Sequence, residues 1–262
     1  MLDIIHLSDL HFGDPNAPFE ENKIADSLSK YILDTTENPI LLISGDVTIK
    51  GQENGYSVAS TFFEKMISDG KLNRKNIISC PGNHDIVDNK FSDYDSFIYG
   101  LRRDHDMDFS EHSFRMINVE GITFLLLNSS YHLDHKYGLI DAEVFKVNMN
   151  EQKNTRKILV LHHHILNQFR DDTSAIRNAY DLVQFIEKNS FDMVLHGHQH
   201  SEQFYHLGEC KVPVISARSG NFNQRGYINA FNHYTFSNEK FSVNSYAFEK
   251  NNHEINIISL SR

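Results

Sequence analysis

Residues 193–200 have the sequence MVLHGHQH, in which a short apolar run leads directly into three histidines and a glycine. The run is typical of a buried strand, and the glycine lets the backbone turn sharply where the strand ends. His198 and His200 are two positions apart, so their side chains point to the same side of an extended chain. The stretch therefore predicts a strand that delivers two imidazoles to one end of a sheet.

The same arrangement, an apolar run that ends in residues able to bind a metal, occurs at other places in the chain. These are residues 4–8 before Asp9 and His11, residues 40–44 before Asp46, residues 77–80 before Asn83, His84 and Asp85, and residues 158–161 before His162, His163 and His164. Binding sites in open α/β sheets form at the carboxyl ends of strands, so these ends favour one convergent site. Taken singly, each motif also fits an ordinary turn or, for the three histidines, a surface cluster.

Amphipathic stretches between the apolar runs predict helices at residues 19–33, 56–67 and 175–187. Towards the C-terminus the pattern changes to short strands in meander order, at residues 213–217, 230–236, 241–248 and 255–258. An α/β half followed by a β-rich tail predicts two packed sheets with helices outside, in a single domain over residues 1–262. The charged, irregular segment 88–112 is either a lid or insertion over a site or a solvated connection.

Composition and charge exclude several classes of protein. Hydrophobic residues make up 40% and charged residues 23% of the 262 residues, which is globular usage and not that of a disordered chain. Two cysteines are too few for a disulfide framework, and no apolar run approaches the roughly 20 residues of a membrane span. The N-terminus has no basic and apolar leader, which predicts a cytoplasmic protein. The formal net charge of -10 disfavours binding to long duplex nucleic acid.

The residue types at the predicted strand ends suit two metal ions. Aspartate and histidine together bind Mn, Fe or Zn, and no group of cysteines indicates a structural zinc site. A carboxylate such as Asp46 can bridge two cations about 3.5–4 Å apart, and such a pair activates water for attack on a phosphate ester. We therefore expect two divalent cations as cofactors.

The motifs in this order resemble those of the calcineurin-like metallophosphoesterase superfamily. The resemblance implies an α/β fold of the four-layer αββα type, in which two mixed β-sheets are flanked by helices. It also implies two sets of metal ligands, Asp9, His11, Asp46 and His200 for one ion and Asp46, Asn83, His162 and His198 for the other. His84 matches the family's substrate-facing histidine and is the expected catalytic residue. The remaining candidates are expected to contact the substrate or to support the ligands from behind: His163, His164 and Asp85.

Within the superfamily the chain looks most similar to class III cyclic-nucleotide phosphodiesterases, because of residues 162–164 and 176–179. Ile165 departs from the proline that many relatives have, which affects the loop that follows and leaves the metal ligands intact. The resemblance implies a small phosphate ester or nucleotide as the substrate. It favours hydrolysis of a nucleotide-type phosphodiester by attack of a metal-bridging hydroxide. The protein Ser/Thr phosphatase branch fits poorly, since residues 47–50 and 80–81 lack the arginines of its motifs.

Other functions stay open at this point. The chain could be a metal-dependent nuclease on short or single-stranded nucleic acid, a phosphomonoesterase, or a non-catalytic scaffold. The presence of every ligand position and of His84 argues against the scaffold. Substrate preference is expected to depend on segments between the strands, at residues 12–19, 88–112, 129–137, 167–174 and 218–227. Aromatic residues there either stack on a base, pack in the core or are simply exposed: Phe12, Tyr131, Phe169, Phe222 and Tyr227.

Overall fold

The computed structural model describes residues 2–51, 53–152, 155–237, 240–252 and 254–260. The strands are β1 (Leu2–Leu7), β2 (Ile40–Ser44), β3 (Ile77–Cys80), β4 (Phe114–Val119), β5 (Ile122–Leu127), β6 (Arg156–Val160), β7 (Met193–His196), β8 (Phe204–Leu207), β9 (Val212–Ser216), β10 (Ala230–Ser237), β11 (Lys240–Asn251) and β12 (Glu254–Leu260). The helices are α1 (Glu21–Thr35), α2 (Glu53–Asp69), α3 (Ser92–Arg102) and α4 (Ala179–Asn189).

The strands form two mixed sheets. The first has the order β12-β11-β10-β1-β2-β3, with β1, β2 and β3 parallel and the other neighbours antiparallel. The second has the order β4-β5-β6-β7-β9-β8, with β5, β6, β7 and β9 parallel and an antiparallel strand at each edge. Parallel neighbours end at the same edge of a sheet, so the loops that follow them lie side by side.

The hydrophobic clusters show how the layers stack. Phe124 and Leu126 of β5 pack in one cluster with residues of the first sheet, whereas Leu125 and Leu127 pack in a second cluster with α4. Since successive residues of a strand point to opposite faces, β5 is covered by a sheet on one side and by a helix on the other. Helices α1, α2 and α3 contribute to the first cluster. This α/β sandwich confirms the predicted fold class.

Local sequence explains why these elements form. In α1 the apolar residues Ile24, Leu28 and Ile32 recur every four positions and are buried, which gives the helix one apolar face. Strand β2 is buried along its whole length, as expected for a strand with parallel neighbours on both sides. None of the helices in the described ranges has both the length and the apolar character needed to cross a lipid bilayer.

The predicted helices correspond to α1, α2 and α4, but the C-terminal strands differ from the predicted meander. Strand β9 pairs with β7 and β8 in the second sheet, so the meander consists of β10, β11 and β12. An apolar strand pattern does not specify its partner, which explains this error. The segment 88–112 contains α3, whose Tyr94, Phe97 and Leu101 are buried in the first cluster. Movement of this segment as a lid stays a prediction.

Candidate metal centre

The polar residues that follow the central strands lie together at one edge of the sheets. Asp9 and His11 follow β1, Asp46 follows β2, Asn83 and His84 follow β3, His162 follows β6, and His198 and His200 follow β7. Several have left-handed backbone angles, with φ of 50° at Asp9, 48° at His11, 51° at Asp46, 74° at His198 and 54° at His200. Residues other than glycine adopt these angles at a cost in free energy, and such strain is concentrated at functional sites.

Asp9, His11 and His200 form one group of potential ligands. Nε2 of His200 lies 3.2 Å from Nε2 of His11 and 3.3 Å from Oδ1 of Asp9. Ligand atoms bound at about 2.1 Å to one ion are about 3 Å apart, so this spacing suits a shared cation. Oδ2 of Asp9 accepts hydrogen bonds from Oγ of Ser8 (2.5 Å) and from the backbone N–H of His198 (3.0 Å). Oδ1 is buried and has no hydrogen-bond partner, which suits a metal ligand.

Asp46, His162 and His198 form a second group, to which Asn83 adds an oxygen. Nε2 of His162 lies 3.2 Å from Oδ2 of Asp46 and 3.1 Å from Nδ1 of His198. The side-chain amide of Asn83 donates to the carbonyl oxygen of His135 (3.3 Å), and its Oδ1 is buried without a hydrogen-bond partner. A buried oxygen without a partner is unfavourable, and a cation would satisfy it.

Asp46 connects the two groups. A carboxylate oxygen of Asp46 lies within 4.8 Å of ligand atoms of His162 and His198, and one also lies within 4.8 Å of a ligand atom of His11. A carboxylate that lies between two sets of ligands is in the position from which it can bind two cations. Gly82 permits this packing, because a Cβ atom there would lie 2.2 Å from Oδ1 of Asp46.

Hydrogen bonds behind two histidines select the ring nitrogen that faces the cluster. Nδ1 of His162 donates to the carbonyl oxygen of Ser44 (2.8 Å), and Nδ1 of His200 donates to Oε1 of Gln224 (2.9 Å). In each neutral ring the lone pair is then on Nε2, the atom that faces a carboxylate. Ser44 and Gln224 were not among the predicted site residues. No local pattern marks them, although Gln224 lies in the segment 218–227.

Carboxylates and histidines in the cluster shift one another's pKa. Burial opposes the charge on Asp46, but His162 and His84 outweigh it and hold the pKa of Asp46 well below its usual range. Burial also opposes the charge on His162, yet the Asp46 carboxylate raises the pKa of His162 to about 9. Burial dominates at His11 and His198 and lowers their pKa values to about 4 and about 3. A metal binds neutral imidazoles and ionised carboxylates, so binding at His162 displaces the proton that its raised pKa retains near neutral pH.

His84 lies at the open side of the cluster and is only partly buried. Its ring is edge-on to that of His11, with 5.1 Å between the ring centres. The backbone N–H of His84 donates to Oδ1 of Asp46 (2.8 Å), and its Nδ1 accepts a hydrogen bond from the backbone N–H of Lys50 (3.3 Å). The neutral ring therefore carries its proton on Nε2, which is the nitrogen that can donate to a substrate.

Asp85 binds backbone groups of the neighbouring loops. Its carboxylate accepts hydrogen bonds from the N–H groups of Gly82 (2.9 Å) and Val47 (3.1 Å) and from the hydroxyl of Tyr56 (3.2 Å). Burial and the negative charge of Asp46 raise the pKa of Asp85 to about 7. Asp85 thereby ties the loop after β2 to the loop after β3, behind the ligands that these loops carry.

His163 and His164 both pack against the ring of His198. The ring centre of His163 is 4.5 Å from that of His198, and its Nδ1 lies 2.8 Å from Oγ of Ser129. His164 is nearly parallel to His198, at 5.5 Å and 16°, and its Nε2 lies 2.6 Å from Oδ2 of Asp172. Asp172 was not among the predicted site residues, because nothing in its local sequence indicates a contact with His164.

Aromatic residues of the predicted specificity segments have different environments. The ring of Phe222 packs on two candidate ligands, at 4.6 Å from the ring of His11 and 4.7 Å from that of His200. Phe12 is instead buried in the core, where its ring lies 4.9 Å from that of Phe62. The segment 218–227 therefore contributes an aromatic side chain that borders the cluster.

Comparisons with known proteins give both a family and a fold. A sequence model described as calcineurin-like phosphoesterase matches residues 2–202. A dimetal phosphatase from Danio rerio is similar in structure, with a TM-score of 0.65 and 10% identity over 99% of each chain. The protein TT1561 of Thermus thermophilus has a TM-score of 0.56 and 12% identity, over 92% of this chain and 97% of that one. A comparison with curated proteins gives no match.

Proposed function

The chain belongs to the calcineurin-like phosphoesterase family, and from this premise we propose that it is a two-metal phosphodiesterase for a nucleotide-type phosphodiester. Family membership and the Asp and His groups indicate a metal-dependent phosphoesterase. The observation that carries the proposal is the position of Asp46, whose carboxylate is close to ligands of both groups. The finer statement, a preference for diesters, is supported by the surroundings of the cluster.

The described side chains fit two cations, and we assign the ligands accordingly. One cation would be held by Asp9, His11, Asp46 and His200, and the other by Asp46, Asn83, His162 and His198. The buried, unpartnered oxygens of Asp9 and Asn83 support this assignment. When bound, the cations would supply a hydroxide nucleophile near neutral pH and neutralise charge on the phosphoryl oxygens. The mixed oxygen and nitrogen ligands suit Mn, Fe or Zn.

His84 is the proposed catalytic residue beside the cations. Its Nδ1 is occupied by the N–H of Lys50, so the proton of the neutral ring is on Nε2. One ring nitrogen of His84 lies within 4.8 Å of potential ligand atoms of His11 and Asp46. The ring would therefore lie beside a phosphoryl group bound there. In this role the neutral ring of His84 donates a hydrogen bond from Nε2 to the phosphoryl group, whereas transfer of a proton to the leaving oxygen is open only to its imidazolium form.

Phe222 favours a diester over a monoester. Its ring packs on His11 and His200, so an apolar surface borders the proposed site. A diester has a second organic group that can use such a surface, and a monoester lacks it. The net charge of -10 is consistent with a small substrate in place of a long duplex.

The proposal is tested by turnover of bis(p-nitrophenyl) phosphate against p-nitrophenyl phosphate. The protein is first freed of metal with a chelator and then given Mn²⁺, Fe²⁺ or Zn²⁺ in separate samples. Asp46→Asn is compared with Asp34→Asn, which makes the same chemical change at an exposed position of α1. We expect metal-dependent turnover of the diester in the wild type and in Asp34→Asn, and loss of about 10²-fold or more in Asp46→Asn.

The alternatives give different results in the same assay. Faster turnover of the monoester would indicate a phosphomonoesterase. Activity on a short single-stranded oligonucleotide that greatly exceeds activity on the small diester would indicate a nuclease. Metal binding without turnover of any of these substrates would contradict the proposal that the protein is an enzyme and would favour a scaffold.

A further inference from the structure

The loop formed by residues 166–174 is hydrogen-bonded to residues beside the candidate metal centre. Oε1 of Gln168 accepts a hydrogen bond from Oγ of Ser201 (2.5 Å). Oδ2 of Asp172 accepts a hydrogen bond from the side-chain amide of Gln199 (2.9 Å) and lies 2.6 Å from Nε2 of His164. Gln199 and Ser201 are the chain neighbours of His200, so this loop borders a proposed ligand.

Asp172 also organises the loop itself. Its Oδ1 accepts hydrogen bonds from the backbone N–H (2.8 Å) and the hydroxyl (2.7 Å) of Ser174. Its carbonyl oxygen accepts a hydrogen bond from the side-chain amide of Asn167 (2.7 Å). The side chain of Asp172 is only 8% exposed, although the loop lies at the surface. One buried carboxylate therefore holds both the shape of the loop and its attachment to the site.

The same loop presents apolar side chains to solvent. Phe169 is 52% exposed and Leu166 is 49% exposed, and the neighbouring Arg170 is also exposed. Phe169 directly follows Gln168, which is bonded to Ser201 beside the proposed ligand His200. An exposed aromatic ring and a cation, on a loop that is hydrogen-bonded to the chain neighbours of a proposed ligand, match a ligand that combines a flat ring with negative charge.

We infer that Phe169 determines specificity by stacking on the base of a nucleoside diester, and that Asp172 is the positioning residue that holds Phe169 at the site. This inference rests on the proposed phosphodiesterase function and names the group recognised beyond the scissile phosphate. Stacking on an aromatic side chain accepts any base, since every base has a flat face. The substrate class is therefore a nucleoside phosphodiester, with little discrimination among bases by Phe169.

The test uses two diesters with the same leaving group, thymidine 5′-(p-nitrophenyl) phosphate and methyl p-nitrophenyl phosphate. They differ only in the group that would reach Phe169. We expect Phe169→Ala to raise KM for the thymidine ester about 10-fold and to change KM for the methyl ester by less than about 2-fold. Phe169→Tyr keeps the ring and should restore the wild-type KM. Leu33→Ala removes a 47% exposed apolar side chain from the last turns of α1 and serves as the control.

The variant Asp172→Ala tests whether Asp172 holds the loop in place, as distinct from the direct contact of Phe169 with the base. It should raise KM for the thymidine ester about as much as Phe169→Ala does. It should also speed trypsin cleavage after Arg170, because the loop loses its attachments to Gln199 and His164. Unchanged cleavage together with an unchanged KM would overturn the positioning role.

Equal changes in KM for both esters in Phe169→Ala, or no change in either, would overturn the stacking role. Binding of thymidine 5′-phosphate to the Mn²⁺-loaded protein provides a readout that does not depend on turnover. If the wild type hydrolyses neither diester, the proposed function fails. The inference about Phe169 would still be supported by about 10-fold weaker thymidine 5′-phosphate binding in Phe169→Ala, and would be overturned by unchanged binding.

Discussion

His162 and His6 are both fully buried, yet their surroundings give them opposite properties. At His162, which follows β6, the carboxylate of Asp46 at 3.2 Å overcomes burial and raises the pKa to about 9. At His6, within β1, burial dominates and the nearby His196 adds to it, so the pKa falls to about 3. Nε2 of His6 is hydrogen-bonded to a neutral partner, the hydroxyl of Ser44, at 2.8 Å.

The comparison shows that burial alone does not identify a candidate metal ligand. The candidate ligands lie after the strands, where loops from several strands bring carboxylates and imidazoles together. His6 instead lies within β1, where its ring contacts the hydroxyls of Ser44 and Tyr234 in the same sheet. His196 is the last residue of β7, and its Nδ1 lies 3.1 Å from the carbonyl oxygen of Gly197. Ser44 belongs to both environments, because its carbonyl oxygen accepts from His162 and its hydroxyl contacts His6.

The largest expected effect comes from removing His162, the proposed ligand. We expect His162→Ala to lower metal-dependent turnover about 10²-fold or more, because a direct ligand contributes at least as much as a residue that supports one. Metal content measured after dialysis should fall with it. Full metal content with full turnover in His162→Ala would contradict its assignment as a ligand.

The matching change inside the strand should affect stability instead. His6→Ala removes a buried ring and leaves the hydroxyl of Ser44 without this partner, so we expect the free energy of unfolding to fall by about 2–4 kcal/mol. The retained turnover per folded, metal-loaded molecule should stay within about 2-fold of the wild type. Urea unfolding and metal analysis of the same preparation check both statements, and loss of metal from folded His6→Ala would contradict them.

The two histidines should also give metal-free protein opposite dependences on pH. The raised pKa of His162 stabilises the native state fully below about pH 6.5, and this contribution is lost as pH rises towards about 9. The lowered pKa of His6 acts in the other direction. Stability is lost as pH falls from about 6.5 towards about 3, because the unfolded chain binds a proton that the native state does not.

Urea unfolding of metal-free wild type, His162→Ala and His6→Ala between about pH 5 and pH 9 measures these slopes. His162→Ala should reduce the loss of stability on the alkaline side, and His6→Ala should reduce the loss on the acid side. The same pH dependence in all three proteins would show that the two histidines do not differ in the way described.

The smallest effect is expected at Ser44, which connects the two environments. Ser44→Ala removes the hydroxyl that contacts His6 and keeps the carbonyl oxygen that accepts from His162. We expect the free energy of unfolding to fall by about 1 kcal/mol, with turnover and metal content within about 2-fold of the wild type. A large loss of metal in this variant would mean that the hydroxyl, and not only the backbone, orients His162.

Much of the architecture could be predicted from local patterns. Apolar runs followed by polar residues indicated the central strands, and amphipathic spacing indicated α1, α2 and α4. Helix α3 was missed because charges surround its buried residues in the sequence. Strand β9 was assigned to the wrong group of strands, since its apolar pattern is compatible with either sheet and its pairing with β7 depends on contacts distant in sequence.

The candidate site divides in the same way. Residue types and spacing indicated strand ends whose side chains could be ligands, because a strand end places its next residues at a known edge of a sheet. The division of these residues between two ions came from the family resemblance. Only the tertiary structure decided their partners, as with Gln224 behind His200 and Asp172 against His164. Hydrogen bonds and charge interactions act over a few ångströms in space, and these partners are separated along the chain. For this reason the sequence indicated the chemistry, whereas the fold determined protonation and orientation.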